Sequence, residues 1–222
     1  MFRHVPNALT AGRLLLAGVF FAMLGYYQYE GRGDPWYLNV AFSIYVVALI
    51  TDFLDGYLAR KWKVEGAFGR VVDPFVDKVL VIGSFIFFAG KTFIIPDTAV
   101  PGGAHVVKTI TGVTPWMVVI ILARELLVTS FRGMSEGSGQ NFGAVMGGKV
   151  KMVFQSVTIL VILVYVNYLQ PLKDRGWEEY ARHFRDFCIW ATILITVWSG
   201  IAYVQRAIVF YRKGMAADGG DN

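Results

Sequence analysis

The sequence predicts an all-α membrane protein in which six transmembrane helices form one bundle. Hydrophobic residues make up 55% of the 222 residues and charged residues only 17%, and the mean hydropathy is +0.50. Six windows are long and apolar enough to cross the hydrocarbon core of a membrane, which takes about 20 residues. Because these windows occupy most of the chain, we expect one domain over residues 1–213, followed by a disordered tail over residues 214–222.

The six predicted spans follow one another along the chain. The first follows a basic N-terminal segment, and because no small-residue cleavage site comes after it, we expect it to be retained. Residues 91–113, between the third and fourth spans, are rich in Pro and Gly and predict turns. Residues 173–187 place aromatic side chains at near-helical spacing among charged ones, which predicts an amphipathic helix on the outer membrane face. The spans lie at residues 10–29, 37–58, 70–90, 115–134, 148–168 and 188–210.

The distribution of lysine and arginine predicts the orientation of the bundle, because the cytoplasmic flanks of membrane proteins collect these residues. An even number of spans places both termini on one side, and that side carries fourteen of the 21 lysines and arginines. Both termini are therefore predicted to be cytoplasmic. The net charge of +5 is explained by this bias and by an anionic lipid surface, so no nucleic-acid partner is predicted. The seven cations on the outer side are Arg32, Lys91, Lys108, Lys173, Arg175, Arg182 and Arg185.

Four aspartates interrupt the apolar pattern between the second and third spans. A carboxylate at membrane depth costs about 2.5–3.5 kcal/mol on insertion scales, so such residues need a function and a counter-charge. If the second helix continues through residue 60, Asp52 and Asp55 lie three residues apart on one face, and Asp73 and Asp77 lie four apart on the third helix. Two helices joined by a short loop bring these carboxylates together at the cytoplasmic end, where they repel one another. Hard divalent cations relieve this repulsion, and oxygen-only ligands favour Mg²⁺ or Mn²⁺ over zinc.

The same segment contains small residues where a ligand would enter between the two helices. Gly56, Ala59 and Gly69 leave room for it, and Arg60 supplies a positive charge for phosphates. Since magnesium takes part of its coordination shell from substrate phosphates, the pattern predicts a site for a diphosphate and metal ions. The alternative is a structural ion-pair network between the aspartates and the nearby cations Arg60, Arg70 and Lys78.

The spacing of these residues resembles the signature of the CDP-alcohol phosphotransferase family. The pattern reads D, two residues, DG, two residues, AR, eight residues, G, three residues, D, three residues, D, over residues 52–77. Six helices, with the signature joining the second and third, are also the architecture that the resemblance implies. Three shorter segments look like the bacterial phosphatidylglycerophosphate synthase branch of the family: PNALTAGR at residues 6–13, ARELLVTSFR at 123–132 and GKVK at 148–151.

The resemblance implies an enzyme that transfers the phosphatidyl group of CDP-diacylglycerol to sn-glycerol 3-phosphate, giving phosphatidylglycerol phosphate and CMP. It implies a homodimer in the bacterial cytoplasmic membrane, surrounded by membrane lipids. Two metal ions, Mg²⁺ or Mn²⁺, are expected between Asp52, Asp55, Asp73 and Asp77, with Asp77 also the general base. CDP-diacylglycerol is expected to contact Gly56, Ala59, Arg60 and Gly69. Thr10 and Arg13 either approach the nucleotide or serve only the start of the first helix.

The acceptor is itself a phosphate dianion and requires a basic pocket near the metals. The candidates lie at the cytoplasmic ends of the fourth and fifth spans: Arg124, Arg132, Lys149 and Lys151. Glu125 is interpreted as an orienting partner of Arg124 rather than as a metal ligand. Any one of the cations would otherwise extend toward lipid headgroups.

Several other functions stay open at the level of the sequence. Within the family, inositol phosphate, serine or phosphatidylglycerol would use the same signature as the acceptor. Outside it, a divalent cation transporter would also carry intramembrane aspartates, although it would distribute them through the bilayer depth. A non-catalytic lipid-binding scaffold is the third class. A histidine or cysteine metal site is not indicated, because the three histidines are scattered and Cys188 is the single cysteine.

Overall fold

The structure is a computed structural model that describes residues 5–28, 33–62, 67–95, 108–137 and 146–218. Side chains are described for residues 11–28, 33–54, 75–94, 109–134, 148 and 150–209. Within these ranges the chain forms seven α-helices: α1 (Val5–Tyr26), α2 (Pro35–Trp62), α3 (Ala67–Phe88), α4 (Pro115–Gly137), α5 (Met146–Asn167), α6 (Leu169–Asp174) and α7 (Glu178–Asp218). A turn of 3-10 helix and two strands, β1 (Ile94–Ile95) and β2 (Lys108–Thr109), lie between α3 and α4, and the strands pair antiparallel.

The six longest of these helices coincide with the six windows that the sequence predicts as spans. Each has at least 22 residues, and the predicted helical architecture is confirmed for the described residues, apart from the two-residue strands β1 and β2. Among the described residues, three stretches are long and apolar enough to cross a membrane: Pro35–Leu54, Val150–Asn167 and Glu178–Val209. A shorter apolar stretch covers Ala11–Tyr26.

Local sequence signals fix several helix ends. Pro35 occupies the first position of α2, where a missing N–H costs nothing, and the Asp34 carboxylate accepts a hydrogen bond of 2.8 Å from the backbone N–H of Trp36, as an N-cap does. After α6, Gly176 adopts a φ of 71°. The Gly176 and Trp177 N–H groups donate to the carbonyls of Lys173 and Leu172 at 3.0 and 2.9 Å, which is the Schellman arrangement that ends a helix.

The bundle core contains aromatic and aliphatic side chains from all six long helices, and the contacts among α1, α2 and α3 are mainly aromatic. Phe20 and Tyr45 are fully buried and their rings lie 5.5 Å apart. At the α1–α3 contact, Phe21 stacks on Phe87 with centroids 5.4 Å apart. A Cβ atom at Gly83 would lie 2.3 Å from the Phe21 ring, so the absence of a side chain there allows the two helices to approach closely.

Hydroxyl groups and one arginine attach α7 to the rest of the bundle. Thr158 in α5 and Thr192 in α7 hydrogen bond at 2.8 Å in the interior, a common way of joining helices in an apolar environment. Near the β1–β2 pair, the Arg185 guanidinium donates to the carbonyl of Ile110 at 2.6 Å and lies over the Tyr165 ring at 4.4 Å. These contacts connect α5, α7 and the segment before α4.

The structure differs from one expectation about α7. Residues 178–187 are helical, as predicted, but they belong to the 41-residue helix α7 rather than to a separate surface helix. Its first turn carries Glu178 and Glu179, which favour a helix start electrostatically. The helix also includes residues 214–218, the first part of the segment predicted to be a disordered tail; residues 219–222 lie outside the described part of the chain.

Candidate active site

Arg13 of α1 lies between two of the four predicted metal-binding aspartates. Its Nη1 atom is paired with an Oδ1 atom of Asp52 in α2 and lies 2.6 Å from Oδ1 of Asp77 in α3. The arginine side chain is 1% exposed, whereas the Asp52 and Asp77 side chains are 31% and 27% exposed. Three helices therefore converge on one buried guanidinium, and α1 supplies the counter-charge that the aspartates require.

The helices also place the remaining aspartates at the predicted spacing. α2 continues without a break through Trp62, so Asp55 lies one turn after Asp52, and Asp73 lies one turn before Asp77 in α3. Each pair therefore shares a helix face. The other residues predicted to bind metal, liponucleotide or acceptor have side chains outside the described part of the chain: Asp55, Asp73, Gly56, Ala59, Arg60, Gly69, Thr10 and Lys149.

The carboxylates that the structure does describe fit a hard cation. Asp52 and Asp77 converge on a single nitrogen atom, so α2 and α3 already bring carboxylate oxygens together, and such oxygens are the donors that Mg²⁺ and Mn²⁺ prefer. Among the described residues, no three His, Cys, Asp or Glu side chains lie close enough together to hold a metal ion. Lys78, which the ion-pair alternative assigned to the aspartates, instead donates to Thr129 at 2.5 Å.

A second charged cluster is buried between α4 and α5. Arg124 Nη1 donates to Oε1 of Glu125 at 3.1 Å, and Lys151 Nζ contacts the same oxygen atom. All three side chains are less than 10% exposed. Arg124 Nε also donates to Ser199 of α7 at 3.0 Å. Glu125 thus holds two cations in place, as the sequence predicted for Arg124, and the cluster keeps a net positive charge.

Tyr203 of α7 connects this cluster to Arg132. The Arg132 Nη2 atom donates to the Tyr203 hydroxyl at 2.9 Å, and the guanidinium groups of Arg124 and Arg132 lie 5.4 and 5.8 Å from the tyrosine ring centroid. A cation at this distance from an aromatic face is attracted to it. The ring therefore holds two arginines on the same side of the site, a role that no sequence pattern indicates.

A cavity of about 260 Å³ extends from Asp77 to the cations of the second cluster. It lies between α3, α4 and α5, and Asp77 forms part of its wall together with three of the four predicted acceptor-binding residues. Gly148 also forms part of the wall, and a Cβ atom there would be in van der Waals contact with the Tyr203 hydroxyl at 3.6 Å. Its polar and charged lining consists of Asp77, Lys78, Arg124, Glu125, Thr129, Arg132, Lys151 and Gln155.

Comparison with known proteins assigns the family. The model of the CDP-alcohol phosphatidyltransferases matches residues 3–198, which is most of the chain.

The chain belongs to the CDP-alcohol phosphatidyltransferase family.

The resemblance seen in the spaced aspartate motif is thereby confirmed. Relatives in the family include the CDP-diacylglycerol–glycerol-3-phosphate 3-phosphatidyltransferase of Cereibacter sphaeroides, 30% identical over 80% of this chain and 73% of that protein. The protein of the same description from Bacillus subtilis is 26% identical over 91% of this chain and 94% of its own length. A probable phosphatidylglycerophosphate synthase of Mycobacterium tuberculosis is 33% identical over 92% of this chain and 82% of that protein.

Two residues at or beside the cavity were missed from the sequence. Gln155 follows Lys151 by four residues, so helical spacing alone could have placed it on the same face of α5. Tyr203 had no such signal, because it lies far along the chain in an apolar helix. The pairing of Arg13 with Asp52 and Asp77 was also not foreseen, and its predicted approach to the nucleotide stays a prediction.

Proposed function

We propose that this protein transfers the phosphatidyl group of CDP-diacylglycerol to the 1-hydroxyl of sn-glycerol 3-phosphate, releasing CMP and forming phosphatidylglycerol phosphate. The observation that carries the proposal is the cavity that unites Asp77 with Arg124, Arg132 and Lys151. A carboxylate at one wall can take a proton, and a group of cations suits a phosphate dianion. The names of the relatives describe the same reaction.

The chain's own residues account for the proton transfer and for the placement of the acceptor. Asp77 accepts the proton of the 1-hydroxyl while that oxygen attacks the phosphorus bonded to diacylglycerol. The bond from this phosphorus to the bridging oxygen of the diphosphate breaks, and its electron pair leaves with CMP. Arg124, Arg132 and Lys151 hold the acceptor phosphate, and Arg13 keeps the Asp77 carboxylate beside Asp52.

We propose that Asp52, Asp55, Asp73 and Asp77 hold two Mg²⁺ or Mn²⁺ ions. The convergence of Asp52 and Asp77 and the helical spacing of the other two aspartates support this ligand set. A bound pair of such ions supplies stabilisation of the charge on the attacking and leaving oxygens. The predicted liponucleotide contacts of Gly56, Ala59, Arg60, Gly69, Thr10 and Arg13 stay predictions.

We also propose six spans in the bacterial cytoplasmic membrane, with both termini and the site at the cytoplasmic side, and a homodimeric assembly. The contacts of the site support one part of this topology. Residues near the start of α1, α3 and α5 meet residues from the second halves of α2 and α7, as expected of helices that alternate in direction. Fourteen of the 21 lysines and arginines belong to this side, which favours a cytoplasmic position.

An acceptor panel tests the reaction. Purified protein is given CDP-diacylglycerol and Mg²⁺ with sn-glycerol 3-phosphate, inositol phosphate, serine or phosphatidylglycerol, and CMP release is measured. Release is expected to be fastest with sn-glycerol 3-phosphate. Equal or faster release with another acceptor rejects the assignment, and metal uptake into vesicles without CMP release would favour the transporter. Lipid binding without any metal-dependent turnover would favour the scaffold.

Replacement of the proposed base tests the mechanism. Asp77→Asn keeps the shape of the side chain but cannot accept the proton, so CMP release is expected to fall by about 10²–10⁴-fold. Binding of a cytidine nucleotide, measured by calorimetry, is expected to persist because most of its contacts lie elsewhere. A turnover rate close to that of the unmodified protein would remove Asp77 as the base.

A further inference from the structure

Gln155 is a neutral side chain in the active-site cavity whose hydrogen-bond donor is unused. It is 1% exposed and lies on α5, one helical turn beyond Lys151. Its Nε2 atom is buried and has no hydrogen-bond partner among the described residues. Buried polar groups in folded proteins are nearly always hydrogen bonded, so an amide donor held in this way at the wall of a cavity indicates a ligand atom that completes it.

Most of the other polar groups of the cavity are already engaged by neighbours. Thr129 donates to the backbone carbonyl of Glu125 at 2.7 Å and accepts from Lys78. Glu125 accepts from Arg124 and Lys151, and Arg132 donates to Tyr203. Within the described lining, the side-chain donors that are buried and without a partner are Nε2 of Gln155 and Nη2 of Arg124.

The proposed acceptor presents three polar groups to this cavity. Its phosphate suits the cations Arg124, Arg132 and Lys151. Its attacking 1-hydroxyl suits the carboxylate of Asp77. The secondary 2-hydroxyl then has no partner among these groups. Its oxygen is a neutral hydrogen-bond acceptor, which suits the neutral amide donor of Gln155. We propose that Gln155 donates a hydrogen bond to this 2-hydroxyl and thereby selects acceptors that carry a hydroxyl next to the attacking one. This inference rests on the proposed function.

A pair of acceptors that differ only in the 2-hydroxyl tests the proposal. The second acceptor is 3-hydroxypropyl phosphate, which keeps the phosphate and the primary hydroxyl. With the unmodified protein, kcat/KM is expected to favour sn-glycerol 3-phosphate by about tenfold, because the shorter acceptor leaves the buried donor unpaired. In Gln155→Met, which has similar volume and no donor, the ratio is expected to fall to about one. An unchanged ratio in this variant, or no preference in the unmodified protein, overturns the proposal.

Two further variants separate selection from folding. Thr158→Val removes a buried hydroxyl from the same helix outside the cavity. This variant is expected to keep the kcat/KM ratio of the unmodified protein for the two acceptors. A reduced ratio in Thr158→Val would assign the effect to packing and overturn the role of Gln155. If Gln155→Met has no turnover with either acceptor, Gln155→Asn retracts the amide by one methylene and is expected to lower the ratio, whereas an intact ratio contradicts the proposal. If the proposed function itself is wrong, the unmodified protein releases no CMP with sn-glycerol 3-phosphate. That result is distinct from a changed acceptor ratio, which tests only the role of Gln155.

Discussion

Glu125 shows how one residue sets the charge of the acceptor pocket. Its carboxylate accepts from both Arg124 and Lys151 in a buried setting, where an unpaired ion would be strongly destabilising. One negative charge shared by two positive ones leaves an excess for an anionic ligand. The pocket can therefore be folded without the acceptor and still attract a phosphate.

Removing one cation from this cluster is expected to weaken acceptor binding selectively. In Lys151→Met, Glu125 keeps Arg124 as its partner, so the fold is retained, while the pocket loses one of its positive charges. A charge-assisted hydrogen bond contributes about 1.5–3 kcal/mol, so KM for sn-glycerol 3-phosphate is expected to rise by about 10–100-fold in steady-state CMP-release assays. KM for CDP-diacylglycerol is expected to stay close to its original value.

The matched control is Lys173→Met, which removes an exposed cation from α6, away from the site. Its KM for sn-glycerol 3-phosphate is expected to equal that of the unmodified protein. An equal rise in KM for both substrates in Lys151→Met would contradict a selective role in acceptor binding.

At the scale of elements, α1 contributes electrostatics to a site whose motif lies in α2 and α3. Arg13 is the described residue that links all three helices. Without it, the carboxylates of Asp52 and Asp77 face each other at close range and repel. The first helix is therefore part of the site although it lies outside the spaced aspartate motif.

Arg13→Met is expected to destabilise the bundle. Loss of a buried ion pair costs about 3–5 kcal/mol, and because both carboxylates here are partly exposed and screened by water, we expect about 1–3 kcal/mol. Thermal unfolding in detergent with EDTA is expected to show a lower Tm, and millimolar Mg²⁺ is expected to restore part of it by supplying positive charge to the aspartates. Arg206→Met, which removes an exposed arginine of α7, is the control. Equal Tm values for the two variants would show that the Arg13 contacts do not support the fold.

The helices could be predicted from the sequence, but several partners within the site could not. The six helices could be predicted from apolar windows because length and hydropathy are properties of consecutive residues. The aspartate motif could be recognised because its spacing matches one helical turn. Arg13 was predicted to lie at the site, and its contact with the nucleotide stays a prediction. Its pairing with Asp52 and Asp77 could not be predicted, since local periodicity does not determine which helices pack together. Tyr203 lies 71 residues from Arg132, and only the packing of α7 against α4 brings them together.

At the scale of the whole molecule, the site draws on helices from one end of the chain to the other. Arg13 comes from α1 and Tyr203 from α7, and the cavity between them is walled by α3, α4 and α5. A charged site of this kind requires that the whole bundle be assembled before substrates bind. It also requires that water-soluble sn-glycerol 3-phosphate reach the cavity from one side of the membrane, which makes orientation a functional property.

Cysteine labelling tests that orientation. In a Cys188→Ser background, Met134→Cys places a thiol near the end of α4, where the side chain is 64% exposed, and Lys173→Cys places one in α6 at the opposite predicted side. Because cytoplasmic flanks collect lysine and arginine, a membrane-impermeant maleimide added to intact spheroplasts is expected to label Lys173→Cys and to label Met134→Cys only after detergent is added. CMP release by both variants serves as the control for folding. The reverse pattern would place the cation-rich face outside, where cytoplasmic sn-glycerol 3-phosphate cannot reach the cavity, and the proposed orientation would then be wrong.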